Sequence, residues 1–265
     1  MAEFGRHAFP WFPSMVQRQL AKPLAKKMKG YRAGLGINDK TIPGIEAFAK
    51  GLIINLERHF AAGHSYLMGE RPCLGDFSLY GPLWSHIYRD PGTTSWFKEA
   101  PHVVGWFRRL QQSPLETPGE FASDDKVPET LNPIFKVFFT EQFSFITQLV
   151  AAIDRYCSDH PDATRVPRSL GDASFTVGGR QGTRKFVTFT QWMAQRPVDH
   201  YQGLTCDERE HVNCWLDAVD GRALMQLQIK NPFARVNNKM GLKPHSPLQQ
   251  NHDPKSSRLS NSYLI

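Results

Sequence analysis

The chain has 265 residues and a mass of 30.2 kDa, which suits one or two domains at roughly 100–200 residues each. Hydrophobic residues make up 40% and aromatic residues 12%, so there is material for a core and a globally disordered chain is excluded. The formal charge is a modest +7, and no apolar run approaches the roughly 18–20 residues of a transmembrane helix.

The cysteines are Cys73, Cys157, Cys206 and Cys214. No C-x-x-C pair is present, which excludes a zinc ribbon and a thioredoxin-type dithiol, and a disulfide scaffold does not suit this length. Reduced thiols in the cytoplasm are the simplest expectation.

Residues 1–40 carry eight basic side chains and only two acids, Glu3 and Asp39. Three readings are open: a solvated helix face, a mitochondrial targeting segment, or a surface attracted to nucleic acid or anionic membrane. Leu20–Met28 is helix-forming, and Pro10, Pro13 and Pro23 argue against one continuous amphipathic helix. Residues 43–62 read as a helix through Ile45, Phe48, Leu52, Ile53 and Leu56, ending at Gly63. Residues 74–89 are apolar all round, which predicts a buried helix. Pro101 opens a short helix carrying Trp106 and Leu110.

Residues 113–133 are rich in proline and acidic or small polar residues and read as a connector. Beyond it, Ile134–Tyr156 predicts a long apolar helix. Ser174–Val177 is a β-prone run ending in the turn Gly178–Gly179. Lys185–Thr190 reads as a strand or the start of a helix. Thr205–Val219 predicts a helix with a Thr205–Glu208 capping box and a stop at Gly221. The polar stretch 244–265 reads as a disordered tail.

The segment Tyr66-Leu-Met-Gly-Glu-Arg-Pro-Cys-Leu-Gly-Asp-Phe-Ser-Leu-Tyr-Gly-Pro-Leu-Trp resembles the helical C-terminal domain of glutathione transferases. Asp76 matches the Asp of that family's S/T-x-x-D capping box, and Cys73 stands where Ser or Thr is usual. Pro101, Trp106 and Arg109 match a downstream helix of the same family. The resemblance implies a mostly α protein, with a transferase-like helical bundle at 1–115, a linker at 116–133, and a smaller helical or α+β domain at 134–243. Gly179–Lys185 and Gln191-Trp-Met-Ala-Gln-Arg-Pro are similar to an extra C-terminal domain of some long members.

The family's thioredoxin-like half, which holds the catalytic residue and grips glutathione, has no counterpart in the sequence. No catalytic residue therefore carries over, and the chain alone is expected to bind no cofactor. Glutathione would be a co-substrate only if that half is supplied from sequence ahead of Met1 or by another chain. The face left by the missing half is expected to meet a second copy or a protein partner.

The candidate site residues follow. Cys73 and Asp76 are expected to cap a helix, with a reactive low-pKa thiol as the alternative for Cys73. Trp11, Tyr31, Trp84 and Tyr88 are candidates to line an apolar pocket. Gly179, Arg180, Gly182, Thr183, Arg184 and Lys185 form a glycine-rich cationic loop suited to phosphate or carboxylate, or else a plain tight turn. Cys206, His211 and Cys214 lack a fourth ligand, so no metal is expected. His59, His64 and His86 accompany no nucleophile motif.

Overall fold

The computed structural model describes residues 2–112 and 119–243. Part of the expected linker (113–118) and the expected tail (244–265) lie outside them. The described chain is mostly helical, with two small antiparallel hairpins.

Helices α1 (Ala2–Ala8) and α2 (Ser14–Gly34) form a hairpin around the turn that holds Pro10 and Pro13. The N-terminal stretch is two helices, as the prolines suggested, but the break falls at Pro10–Pro13 and α2 runs through Pro23. A proline removes one backbone hydrogen bond, and a helix that continues past it kinks rather than stops. The hairpin also stands outside the bundle core, whose earliest member is Leu52.

That bundle consists of α3 (Ile42–Ala61), α4 (Leu74–Pro82) and α5 (Pro101–Gln111) around Ile53, Leu56, Phe60, Val103, Trp106 and Phe107. The expected helix 74–89 is two pieces. Pro82 cannot donate to the carbonyl four residues back, and the next turn, Leu83–Tyr88, is wound as a π-helix. Nor is α4 buried all round. Leu74 is 78% exposed and Phe77 faces out with it, because α4 packs on the core through Leu79 and Tyr80, with Asp76 buried on the same side.

The connector is partly docked. Leu131 is buried in the bundle core, the Ala122 amide donates to the Met68 carbonyl at 2.8 Å, and the Glu70 amide donates to Glu120 at 2.9 Å.

Helix α6 (Asn132–Asp159) is the spine of the second half. Its apolar residues form two stripes about 105° apart, at 100° per residue. Phe139, Phe143, Ile146 and Val150 face α7 (Phe189–Gly203), α8 (Cys206–Ala218) and α9 (Arg222–Met225). Phe145, Leu149, Ala152 and Ile153 face the hairpin of β1 (Ser169–Val177) and β2 (Arg180–Val187), together with Phe233. Gly178 and Gly179, at φ +52° and +72°, make the two-residue turn between the strands. Helix α8 starts at the expected box: the Glu208 amide donates to Thr205 Oγ1 at 3.3 Å and the Thr205 amide donates to Glu208 Oε2 at 2.8 Å.

A second hairpin, β3 (Phe233–Val236) with β4 (Lys239–Leu242), turns at Asn237–Asn238, both at positive φ. Two glutamines of α7 clamp its start. Gln191 Nε2 donates to the Asn231 carbonyl at 2.9 Å, and Gln195 Oε1 accepts from the Phe233 amide at 2.8 Å.

The halves meet through glycines. A Cβ on Gly178 would lie 2.2 Å from the Gly44 carbonyl oxygen, and one on Gly44 would lie 2.2 Å from that of Val177. The β1–β2 turn thus sits directly on the first turn of α3. Gly44→Ala should separate these backbones and destabilise the chain by about 1–3 kcal/mol, read as a lower urea midpoint with an unchanged slope; an unaltered midpoint contradicts the close packing.

Candidate functional site

The densest polar arrangement in the bundle is built on Asp76, whose side chain is fully buried. Its Oδ2 accepts from the Cys73 amide at 2.8 Å. Its Oδ1 accepts from the Leu67 amide at 3.0 Å and from the Trp106 indole N–H at 2.9 Å. One carboxylate therefore closes the N-terminus of α4, fixes the preceding loop and anchors α5. Arg109 completes the junction, with Nη2 donating to the Ser65 carbonyl at 2.8 Å. Trp106 and Arg109, one helical turn apart on α5, converge on the loop 65–76.

Cys73 keeps the capping-box geometry, its side chain facing the Asp76 amide. Burial raises its thiol above its usual pKa, with the neighbouring Asp76 carboxyl adding to the effect. This favours the capping role over the reactive thiol, because a nucleophilic cysteine needs a depressed pKa.

His59 is a buried neighbour of this junction. Nε2 lies 3.1 Å from the Tyr66 carbonyl and Nδ1 lies 2.7 Å from Thr130 Oγ1. A carbonyl only accepts, so Nε2 carries the proton and Nδ1 accepts from the threonine hydroxyl. The histidine thereby ties the connector to the bundle. His64 stacks on it, ring centroids 4.4 Å apart. Burial, aided by His64, lowers the His59 pKa from 6.5.

One further carboxylate was invisible in the sequence. Glu57 of α3 accepts from the Val103 amide at 3.0 Å and pairs with His102 at 2.6 Å, closing the start of α5 from outside.

The glycine-rich loop does not form an open anion cradle. The Gly178 amide donates 2.8 Å to Glu141 Oε1, and the Gly179 amide also faces that carboxyl. A carboxylate of α6 already occupies the amides, and burial raises its pKa. The cations diverge. Arg184 lies over the Phe145 ring at 3.7 Å and donates to Gln142 Oε1 at 3.1 Å. Lys185 pairs with Asp172 at 3.5 Å. Arg180 lines an open hollow of 620 Å³ with Lys40 and Asp39. Gly182 and Thr183 serve the hairpin. A Cβ on Gly182 would strike Phe175, and the Thr183 carbonyl faces Gly36.

The four aromatic candidates are not brought together. Trp84 stacks on Tyr80, and Tyr88 packs edge-on against Phe97, both as part of the bundle. Trp11, 94% exposed, and Tyr31 belong to the α1–α2 hairpin. A second cavity, 810 Å³, lies between the end of α6 and β3–β4, lined by Cys157, His160, Asn231 and Leu242. Burial raises the Cys157 thiol, so it is not activated. Among the described residues, no three His, Cys, Asp or Glu side chains cluster in a way that could hold a metal.

No family model matches the sequence. No curated protein is significantly similar to it. No solved structure matches the fold.

Three outcomes follow from this geometry. Asp76→Ala leaves three buried N–H groups unpaired and should cost about 3–5 kcal/mol, measured by urea unfolding; a loss below about 1 kcal/mol contradicts the junction. Cys73→Ser puts a hydroxyl acceptor at the cap and should stabilise by about 0.5–1 kcal/mol in the same assay. His59 is held neutral in the folded chain, so the unfolded chain takes up its proton first. Stability attributable to His59 should be complete above pH 6.5 and fall below it, by on the order of 1 kcal/mol per pH unit. His59→Gln should remove that slope from thermal melts between neutral and mildly acid pH; an unchanged slope contradicts it.

Proposed function

We propose that the chain is a glutathione-transferase-like protein whose helical domain cannot bind glutathione by itself. The observation that carries this is the Asp76 junction: a buried carboxylate capping a helix while accepting from the indole of Trp106. Among the described residues the sheets are two separate two-stranded hairpins. Neither supplies the larger sheet on which that family grips glutathione. In this reading, conjugation to an apolar electrophile requires a thioredoxin-like fold to be added, and this chain contributes the wall opposite the bound thiol.

A second reading is a non-enzymatic docking unit on the same bundle. It is favoured by Leu74 and Phe77, which stand uncovered together on the outer side of α4, where a second copy or another protein would shield them from water.

The test is retention on immobilised glutathione together with conjugation of a generic chloronitrobenzene. The purified chain should flow through and leave the rate at its no-protein value. A protein-dependent rate that saturates with glutathione contradicts the proposal.

A further inference from the structure

Helix α2 has no acidic residue over its 21 positions and six basic ones: Arg18, Lys22, Lys26, Lys27, Lys29 and Arg32. Apart from Met15, which lies on the cationic side, its large apolar residues and the C-cap Leu35 share one face. Val16, Leu20, Leu24, Met28, Tyr31 and Leu35 recur at intervals of three or four, which places them on one face of a helix with 3.6 residues per turn. Arg18, Lys22, Lys26 and Lys29 fall on the opposite side, Arg32 flanks the apolar face, and Lys27 lies within it.

In most helices of this pattern the apolar face is buried and the charged face is wet. Here every one of the six apolar residues is exposed. Helix α1 packs on the first turns of α2 beside this face, where Gln17 and Ala21 are buried. A Cβ on Gly5 of α1 would come within 2.7 Å of the Gln17 carbonyl oxygen, so the two backbones touch. At its far end α2 meets β2, where Gly34 faces the stem of Lys185. Among the side chains the structure describes, none pairs ionically with any of the six cations. Ahead of the first turn, Trp11 and Phe12 project from the α1–α2 connection into solvent.

We propose that α2 lies flat on an anionic membrane surface, its apolar stripe in the acyl boundary and its cations against the headgroups. Four points select this occupant. A helix of mixed character with an exposed apolar face, a lysine-rich polar face and an aromatic at one end matches the requirements of an interfacial helix. No helix among the described residues is long and apolar enough to cross a membrane, so α2 rests on the surface and does not span it. A second copy of α2 is disfavoured as the cover, because pairing two acid-free helices sets like charges side by side. RNA would neutralise the cations but leave Val16, Leu20, Leu24 and Leu35 in water. The proposal stands apart from the transferase-like reading, since α2 contributes nothing to the bundle core.

The test is flotation of the full chain with vesicles of phosphatidylcholine, alone or with about 30% phosphatidylserine. The chain should partition at least about tenfold more strongly into the anionic vesicles, and the difference should vanish in about 0.5 M salt. Lys22→Ser/Lys26→Ser/Lys29→Ser should weaken binding about 100-fold. Leu20→Ser/Leu24→Ser should abolish it with an unchanged circular dichroism spectrum, both positions being exposed. Equal binding to neutral vesicles, or full binding by the leucine variant, overturns the proposal. So does duplex RNA binding without vesicle binding, or a dimer lost in the leucine variant without vesicle binding.

Discussion

The bundle depends on one buried carboxylate. Removing Asp76 from water is costly unless both oxygens are paired, and the two backbone amides and the indole that meet them come from the loop ahead of α4 and from α5. Their convergence fixes the α4 entry, the loop 65–73 and the roll of α5 together. Trp106 is fully buried between Phe60 and Phe107, so moving the carboxylate would disturb the aromatic core as well. Arg109 and His59 hold carbonyls of the same loop. A loop that leaves few of its polar groups to water in this way behaves as part of the core.

Around that junction the chain is organised by α6. Two apolar stripes on one helix require cover on two sides. The helical trio α7–α9 supplies one and the β1–β2 hairpin with Phe233 supplies the other. The β1–β2 turn then reaches the first turn of α3, where facing glycines allow backbone contact. Glu141 spans the same place from α6 to the turn amides. The glycines that looked suited to an external anion are used to join the halves of the molecule, with an internal carboxylate in the anion's position.

Local chemistry was readable in the sequence where it decides structure locally. Thr205 with Glu208, the Gly178–Gly179 turn, Pro101 at a helix start and the periodicity of 43–62 all name their elements. Asp76 was readable as a cap, though nothing in its spacing revealed Trp106 as a partner. What stayed hidden depends on distant segments. Glu57 closes a helix 45 residues away, and Glu141 reaches an amide 37 residues away. The exposure of α2 was also hidden, because an amphipathic pattern states that one face is apolar and does not state what covers it. The Asn237–Asn238 turn was an overlooked local signal: two turn-forming residues between short β-prone runs.

The central claim is that the Trp106 indole proton is committed to a buried carboxylate. Hydrogen exchange of the tryptophan indole N–H groups, followed by NMR, tests it most directly. The Trp106 indole should exchange only with global unfolding, while the indole of Trp11 exchanges at once. A Trp106 indole that exchanges as fast as that of Trp11 would show that the junction does not exist.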